Sequence, residues 1–146
     1  MLYFEDIEIG LEETAGPYAL TEREITEFSA KWDPFEFHTD AKEADSSLFG
    51  GLAASGVHTQ CISNRLGHDI PPWDVRAALG AESRWPAAAR VGDELTLHRQ
   101  VTNKRESRSR PDVGIVQHQT RLVNQARVTV LESKVSLLVG KRPTTS

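Results

Sequence analysis

A carboxylate and an imidazole stand five residues apart in the segment that begins at Asp33 and ends at His38. Trp32, Phe35 and Phe37 bound the segment and lie within it, an aromatic setting that would partly desolvate the pair. A carboxylate and a histidine that share one water molecule can act as general base and general acid. Such pairs also arise by chance, as a turn aspartate before a proline and a partly buried loop histidine, so the spacing alone is weak evidence.

A glycine at the expected start of a helix offers a complementary group. Ser55 is a favourable N-cap, and Gly56 follows it directly. Backbone N–H groups at a helix N-terminus point outward at the positive end of the helix dipole, where they can bind an oxyanion. Close packing early in a helix is the alternative explanation for this glycine. A base, an acid and an oxyanion donor are together the groups that enolate chemistry requires.

Helices are predicted in the first half of the chain. Thr21 and Glu24 have the spacing of a capping box, with Leu20 and Ile25 at the positions of a hydrophobic staple. Pro34 disfavours helical geometry at the preceding residue, so the first helix should stop there. The expected helices cover residues 21–32, 40–44 and 55–67, the last of them central and buried, and residues 33–38 are expected to be a loop.

Strand-like alternation replaces the helical period after the proline pair at residues 71–72. The expected strands cover residues 75–84, 95–101, 115–123 and 128–139, with a long connection at 103–112, a hairpin turn at 124–126 and a frayed tail at 141–146. The sequence therefore predicts one α+β domain with helices first, an antiparallel sheet afterwards and the central helix on one sheet face. Uncovered edges of such a sheet commonly pair with a second copy.

Composition excludes several classes of function. The chain has 146 residues and a net charge of −4, so it lacks the positive field that draws proteins to nucleic acids or anionic membranes. Cys61 is the only cysteine, which excludes an internal disulfide and a cysteine-based zinc site. The five histidines lack the spacing of metal ligands, so no metal is expected. The first twenty residues lack the pattern of a signal peptide, and a cytoplasmic location is expected.

The sequence resembles the MaoC-like dehydratases, a family that includes the R-specific enoyl-CoA hydratases. The resemblance covers nearly the whole chain. Its residues are Phe4–Ile7 with Gly10, Phe28–Ala30, Asp33–Asp40, Phe49–Gly56, Arg90–Leu95 and Ser107–Gly114.

The resemblance implies a hotdog fold, in which a curved antiparallel sheet surrounds a long helix and the chains pair into dimers or larger assemblies. It implies that Asp33 and His38 hold and activate one water, and that the Gly56 amide binds a thioester oxygen. The implied reaction is reversible hydration of trans-2-enoyl thioesters, or dehydration of (R)-3-hydroxyacyl thioesters. The substrate would be carried by coenzyme A, and no cofactor is expected. The sequence departs from the family at two places. It has Phe35-Glu36 where the family commonly has Asn-Pro, and Ser55 where the family often has His. These departures are expected to affect the substrate range rather than catalysis.

Further residues are expected to contact the substrate. They are Phe35, Phe37, Phe49, Ser55, Val57, Asn64, Arg108 and Arg110. The two arginines, in a basic run with Lys104 and Arg105, suit the phosphates of coenzyme A, and a solvated loop explains them as well. Asn64 faces the pocket or is a core-edge amide, and His58 is expected to pack or cap. Trp73 and Trp85 line either an acyl pocket or an interface.

Two other functions compete with this prediction. A hotdog thioesterase typically needs a carboxylate on the central helix, and residues 56–67 contain neither Asp nor Glu. A non-catalytic subunit that binds acyl thioesters within a hetero-oligomer is the second alternative, and the presence of both Asp33 and His38 argues against it.

Overall fold

The computed structural model describes residues 1–145, so the end of the predicted tail, Ser146, lies outside the described residues. One five-stranded antiparallel sheet has the order β1-β3-β4-β5-β2. The strands are β1 (Glu12–Ala19), β2 (Val75–Arg84), β3 (Glu94–Glu106), β4 (Val113–Val123) and β5 (Thr129–Gly140). The helices are α1 (Glu22–Trp32), α2 (Glu36–Thr39), α3 (Ala41–Ala44) and α4 (Gly56–Gly67), after a 3₁₀ turn at Phe4–Asp6. The predicted α+β class is confirmed.

Helix α4 packs against the sheet through one apolar face. Ser55 caps it, because its Oγ accepts a hydrogen bond from the Val57 N–H at 3.2 Å. Ile62 and Leu66 are buried in the main core. The sheet residues of this core include Leu95, Leu97, Leu122 and Leu131. Burying one such side chain contributes about 1.5–3 kcal/mol, so the helix is held firmly enough to present its N-terminus at a fixed position.

Helix α1 begins as predicted at its Thr21 cap, whose side chain accepts the Glu24 N–H at 3.2 Å. Leu20 and Ile25 are both buried in the main core, as a hydrophobic staple requires. The Glu24 carboxylate does not complete the capping box. It instead accepts hydrogen bonds from the Tyr18 hydroxyl and from His58 Nε2, the latter at 3.1 Å.

The structure corrects several expectations. Strand β1 was not predicted, and it precedes the helices; its charged residues and its Gly16-Pro17 pair hide the alternation of an edge strand. Residues 36–39, expected in a loop, form one turn of helix. Strand β3 continues to Glu106, which shortens the expected long connection to residues 107–112. The hairpin turn lies where it was predicted but is longer, spanning residues 124–128.

Strand β2 is an uncovered edge of the sheet. Nine of its ten residues are exposed, and they include the apolar side chains of Val75 and Leu79. An exposed strand of this length is a ready template for pairing with another strand. Within residues 1–145, no helix is long and apolar enough to cross a membrane. Residues 141–145 form neither helix nor strand, although Arg142 contacts Asp6 at 2.6 Å.

Candidate active site

Asp33 is held at the point where α1 ends. Its backbone N–H still donates to Ser29 O at 2.9 Å, and Pro34 then turns the chain away from the helix. The carboxylate is about three-quarters buried and accepts a hydrogen bond at Oδ2 from the Ser55 hydroxyl at 2.6 Å. Because Ser55 also caps α4, one side chain joins the end of α1 to the start of the central helix.

His38 lies in the single turn α2 and is buried. Its Nδ1 is 2.6 Å from the carbonyl oxygen of Ala53. A carbonyl can only accept, so Nδ1 carries the proton and, in the neutral ring, Nε2 carries the lone pair. Nε2 lies 3.7 Å from Asp33 Oδ2. That separation is too long for a direct hydrogen bond and suits one bridging water.

Gly56 is the first residue of α4, and its lack of a side chain is required by Trp85. A Cβ at this position would lie 2.6 Å from the indole ring. The indole Nε1–H is shared between Gly56 O at 3.1 Å and Thr59 Oγ1 at 3.0 Å, which fixes the ring across the first turn. First-turn N–H groups have no acceptor within their own helix, and Gly56 N–H is one of these groups.

Three aromatic rings form one wall beside the imidazole. Phe37 stacks with Phe35 at 5.2 Å between ring centroids, lies 5.3 Å from Phe49 and meets the His38 ring edge-on at 4.5 Å. The structure therefore brings these three predicted binding residues together, with Phe37 directly against His38 and with Phe35 and Phe49 exposed. Their apolar surface lowers the polarity of the site, which strengthens its electrostatic interactions.

The remaining predicted binding residues are more dispersed. Val57 is exposed on the first turn of α4. Asn64 is two turns further along, exposed at the rim of a cavity, and accepts a hydrogen bond from Gln60 Nε2 at 3.4 Å. Arg108 and Arg110 are exposed in the β3–β4 loop, at the end of β3 remote from the start of α4. The chain does not bring these arginines to Asp33 on its own.

A second carboxylate–histidine contact fastens α1 to α4. His58 stacks on Phe28 at 4.4 Å and bonds to Glu24, as the expected packing role requires. Burial, and then the hydrogen bond to Glu24, raise the pKa of Tyr18 to about 12, so its hydroxyl keeps the proton it donates. These contacts set the position of α1 and therefore of Asp33.

The sequence did not reveal every residue that shapes the site. The Ala53 carbonyl that orients His38 is a backbone group and left no signal beyond its place in the Phe49–Gly56 segment. The contact of Ser55 with Asp33 joins residues 22 positions apart, so it depends on packing. Among residues 1–145, no group of three or more His, Cys, Asp or Glu side chains is arranged to hold a metal ion.

Solved structures, rather than family models, show which proteins this chain is similar to. No family model matches the sequence. The chain is 35% identical to a MaoC-like dehydratase from Rhodospirillum rubrum, with 99% of this chain and all of that one covered and a TM-score of 0.93. A monoamine oxidase regulatory protein from Archaeoglobus is 28% identical over 97% of this chain and 96% of that one, with a TM-score of 0.88.

Two further proteins extend the comparison. The R-hydratase PhaJ1 from Pseudomonas aeruginosa, 22% identical over 99% of this chain and 96% of its own, shares the fold with a TM-score of 0.73. The uncharacterized protein YdeM of Bacillus subtilis is 27% identical over 121 residues, which are 81% of this chain and 84% of YdeM. The hotdog fold is thereby confirmed, and by its sequence and its structure the chain belongs to the MaoC-like dehydratase family.

Proposed function

We propose that the protein reversibly hydrates trans-2-enoyl thioesters to (R)-3-hydroxyacyl thioesters. The observation that carries this proposal is the gap between His38 and Asp33 beside the N-terminus of α4. It is 3.7 Å from Nε2 to Oδ2, and the groups on both sides can accept a proton from water.

In the hydration direction, a water that lies beside this pair donates hydrogen bonds to the Asp33 carboxylate and to His38 Nε2. Its oxygen forms a bond to the β-carbon as the C=C π bond breaks, and its proton passes to Asp33 as general base. The pair returns one proton to the α-carbon, so one water is added overall. General acid and base action of this kind contributes roughly 10²–10⁴ in rate.

Negative charge builds on the thioester oxygen between these steps. We assign the stabilisation of this charge to the Gly56 N–H, because Gly56 is the first residue of α4 and lies at the positive end of its dipole. An oxyanion donor contributes roughly 10²–10³ in rate by comparison with other enzymes. The chain itself supplies base, acid and oxyanion donor, and we propose that the substrate is carried as a coenzyme A thioester.

We also propose a homodimer, because it would bring the basic loop at residues 107–112, with Arg108 and Arg110, close to the site of the other copy. If β2 pairs antiparallel with β2 of a second copy, the Val75 end of one strand lies beside the Arg84 end of the other. Within one chain, residues 107–112 adjoin the Val75 end through β4 and β5, and Trp85 at the Arg84 end packs on Gly56. In such a dimer, residues 107–112 of one copy lie at the same end of the joined sheet as Gly56 of the other copy. Arg108 and Arg110 are there suited to the coenzyme A phosphates.

The test is loss of enoyl-thioester absorbance with a panel of trans-2-enoyl-CoAs, together with release of free thiol. We expect hydration by the wild type and a loss of at least about 10²-fold in Asp33→Asn and His38→Ala. Matched controls are Asp45→Asn, at an exposed site after α3, and His98→Ala, on the outward sheet face. Hydration by either site variant at the wild-type rate contradicts the mechanism, and free thiol without hydration assigns a thioesterase instead.

A further inference from the structure

A cavity of about 780 Å³ lies between α4 and the sheet. Its helix wall consists of Gln60, Ser63, Asn64 and Gly67. With Gly56, these residues recur at intervals of three and four and so share one face of α4. Trp85 covers the Gly56 end of this face, so an acyl chain whose thioester oxygen lies at the start of the helix passes this ring to reach the cavity.

The far part of this cavity holds polar atoms without partners. Trp73 Nε1 and His118 Nδ1 are both buried, in side chains 6% and 7% exposed, and neither has a hydrogen-bond partner within residues 1–145. Their rings meet edge-on at 5.9 Å between centroids. Arg99 lies over the Trp73 ring at 4.1 Å, and its hydrogen bonds to Glu13 use Nε and Nη2. All three side chains line the cavity.

The charges in this cluster are already balanced. Arg99 and Glu13 form an ion pair at 2.9 Å in which both side chains are nearly buried. Burial, and then the charge of Arg99, lower the pKa of His118 to about 4, so its ring is neutral at neutral pH. A carboxylate placed here would add an uncompensated buried charge, which is costly. The indole N–H can only donate, so its partner must be an acceptor. Because the charges around it are already balanced, an uncharged oxygen fits better than a carboxylate.

We propose that the cavity selects acyl thioesters whose chain carries an uncharged hydrogen-bond acceptor, a carbonyl or hydroxyl oxygen, near its far end. Trp73 donates to this oxygen, and Arg99 and His118 surround it. The proposal names the substrate class of the proposed hydratase and rests on that function for the direction in which the chain enters.

Binding and turnover test the two ideas separately. Calorimetry compares three saturated, unreactive thioesters of equal chain length: an alkanoyl-CoA, its (ω−1)-oxo derivative and the mono-CoA ester of the dicarboxylic acid. We expect the oxo compound to bind about tenfold tighter than the other two, the difference that one well-placed hydrogen bond makes. If the oxo compound binds no more tightly than the alkanoyl-CoA, the proposal is wrong. If the dicarboxylic ester binds more tightly than the oxo compound, the cavity does not select an uncharged acceptor.

Trp73→Phe removes the donor and keeps an aromatic ring, so the preference for the oxo compound should fall to nearly one. Leu137→Val is the matched control, because it alters the apolar wall of the same cavity without removing a donor, and the preference should persist. A preference that survives Trp73→Phe contradicts the assignment. If the oxo compound binds more tightly but the matching enoyl-CoA is not hydrated, this inference stands and the proposed function is wrong. If the enoyl-CoA is hydrated but the oxo compound binds no more tightly, the proposed function stands and this inference is wrong.

Discussion

The Ser55 hydroxyl donates a hydrogen bond to Asp33 Oδ2 at 2.6 Å, which ties the carboxylate to the cap of the central helix. Here the serine performs two tasks, since the oxygen that binds Asp33 also accepts the Val57 N–H. Asp33 Oδ2 has a further lone pair that can accept from a water shared with His38 Nε2. The cap of α4 therefore sets the orientation of this carboxylate.

Ser55→Ala removes both tasks at once. Loss of the cap should lower the free energy of unfolding by about 1 kcal/mol. Loss of the hydrogen bond to Asp33 should lower kcat/KM about tenfold, because the carboxylate is no longer held toward the water. Thr21→Ala removes the cap of α1 without touching Asp33, so it should cost similar stability in urea unfolding and much less activity. Equal activity losses in the two variants would show that only the cap matters.

Gly56→Ala introduces a Cβ 2.6 Å from the Trp85 ring, which must then move and give up its bonds to Gly56 O and Thr59 Oγ1. We expect kcat/KM to fall about 10²-fold, in the range seen when an oxyanion donor is displaced. Gly67→Ala in the same helix meets no heavy atom within 4 Å, and it is the control for the free energy of unfolding alone, because Gly67 also lines the cavity. Full activity in Gly56→Ala, measured with the enoyl-CoA that the wild type turns over fastest, argues against the oxyanion role.

The elements around the site could be predicted because each follows from local chemistry. Thr21 and Ser55 are caps, Pro34 ends a helix, and alternating apolar residues mark β4 and β5. Strand β1 escaped prediction because its pairing with β3 is set by tertiary contacts rather than by its own pattern.

The contacts that tune the site could not be predicted in the same way. Glu24 has the spacing of a capping box, yet its carboxylate bonds to Tyr18 and to His58, which lies 34 residues away. Trp73 and His118 come together only through the packing of a loop on β4. Local patterns pointed only weakly to Asp33, His38 and Gly56, and the resemblance to the MaoC-like dehydratases made them candidates. The partners that orient them required the fold.

His118 should make stability depend on pH. Its pKa is about 4 in the folded chain and lies near 6.5 when the ring is exposed, so the unfolded state binds more protons between these values. Stability must rise with pH through this window and fall on acidification, by up to about 3 kcal/mol from this residue. Urea unfolding at pH 4.5 and 7 should show a smaller difference in His118→Gln than in the wild type. An unchanged difference would mean that the pKa of His118 is the same in the folded and the unfolded chain. His98→Gln, on the outward face of β3, is the control.

The exposed edge β2 should join two copies of the chain. Leu79 is 52% exposed on this strand, so a charge there would be buried in an interface between two copies and repelled by its symmetry mate. We expect light scattering to report a dimer for the wild type and a monomer for Leu79→Glu at micromolar concentration. Val128→Glu changes an exposed apolar residue in the β4–β5 turn, away from β2, and should remain dimeric. A dimeric Leu79→Glu would place the interface elsewhere, and the basic loop would then need another route to the coenzyme A phosphates.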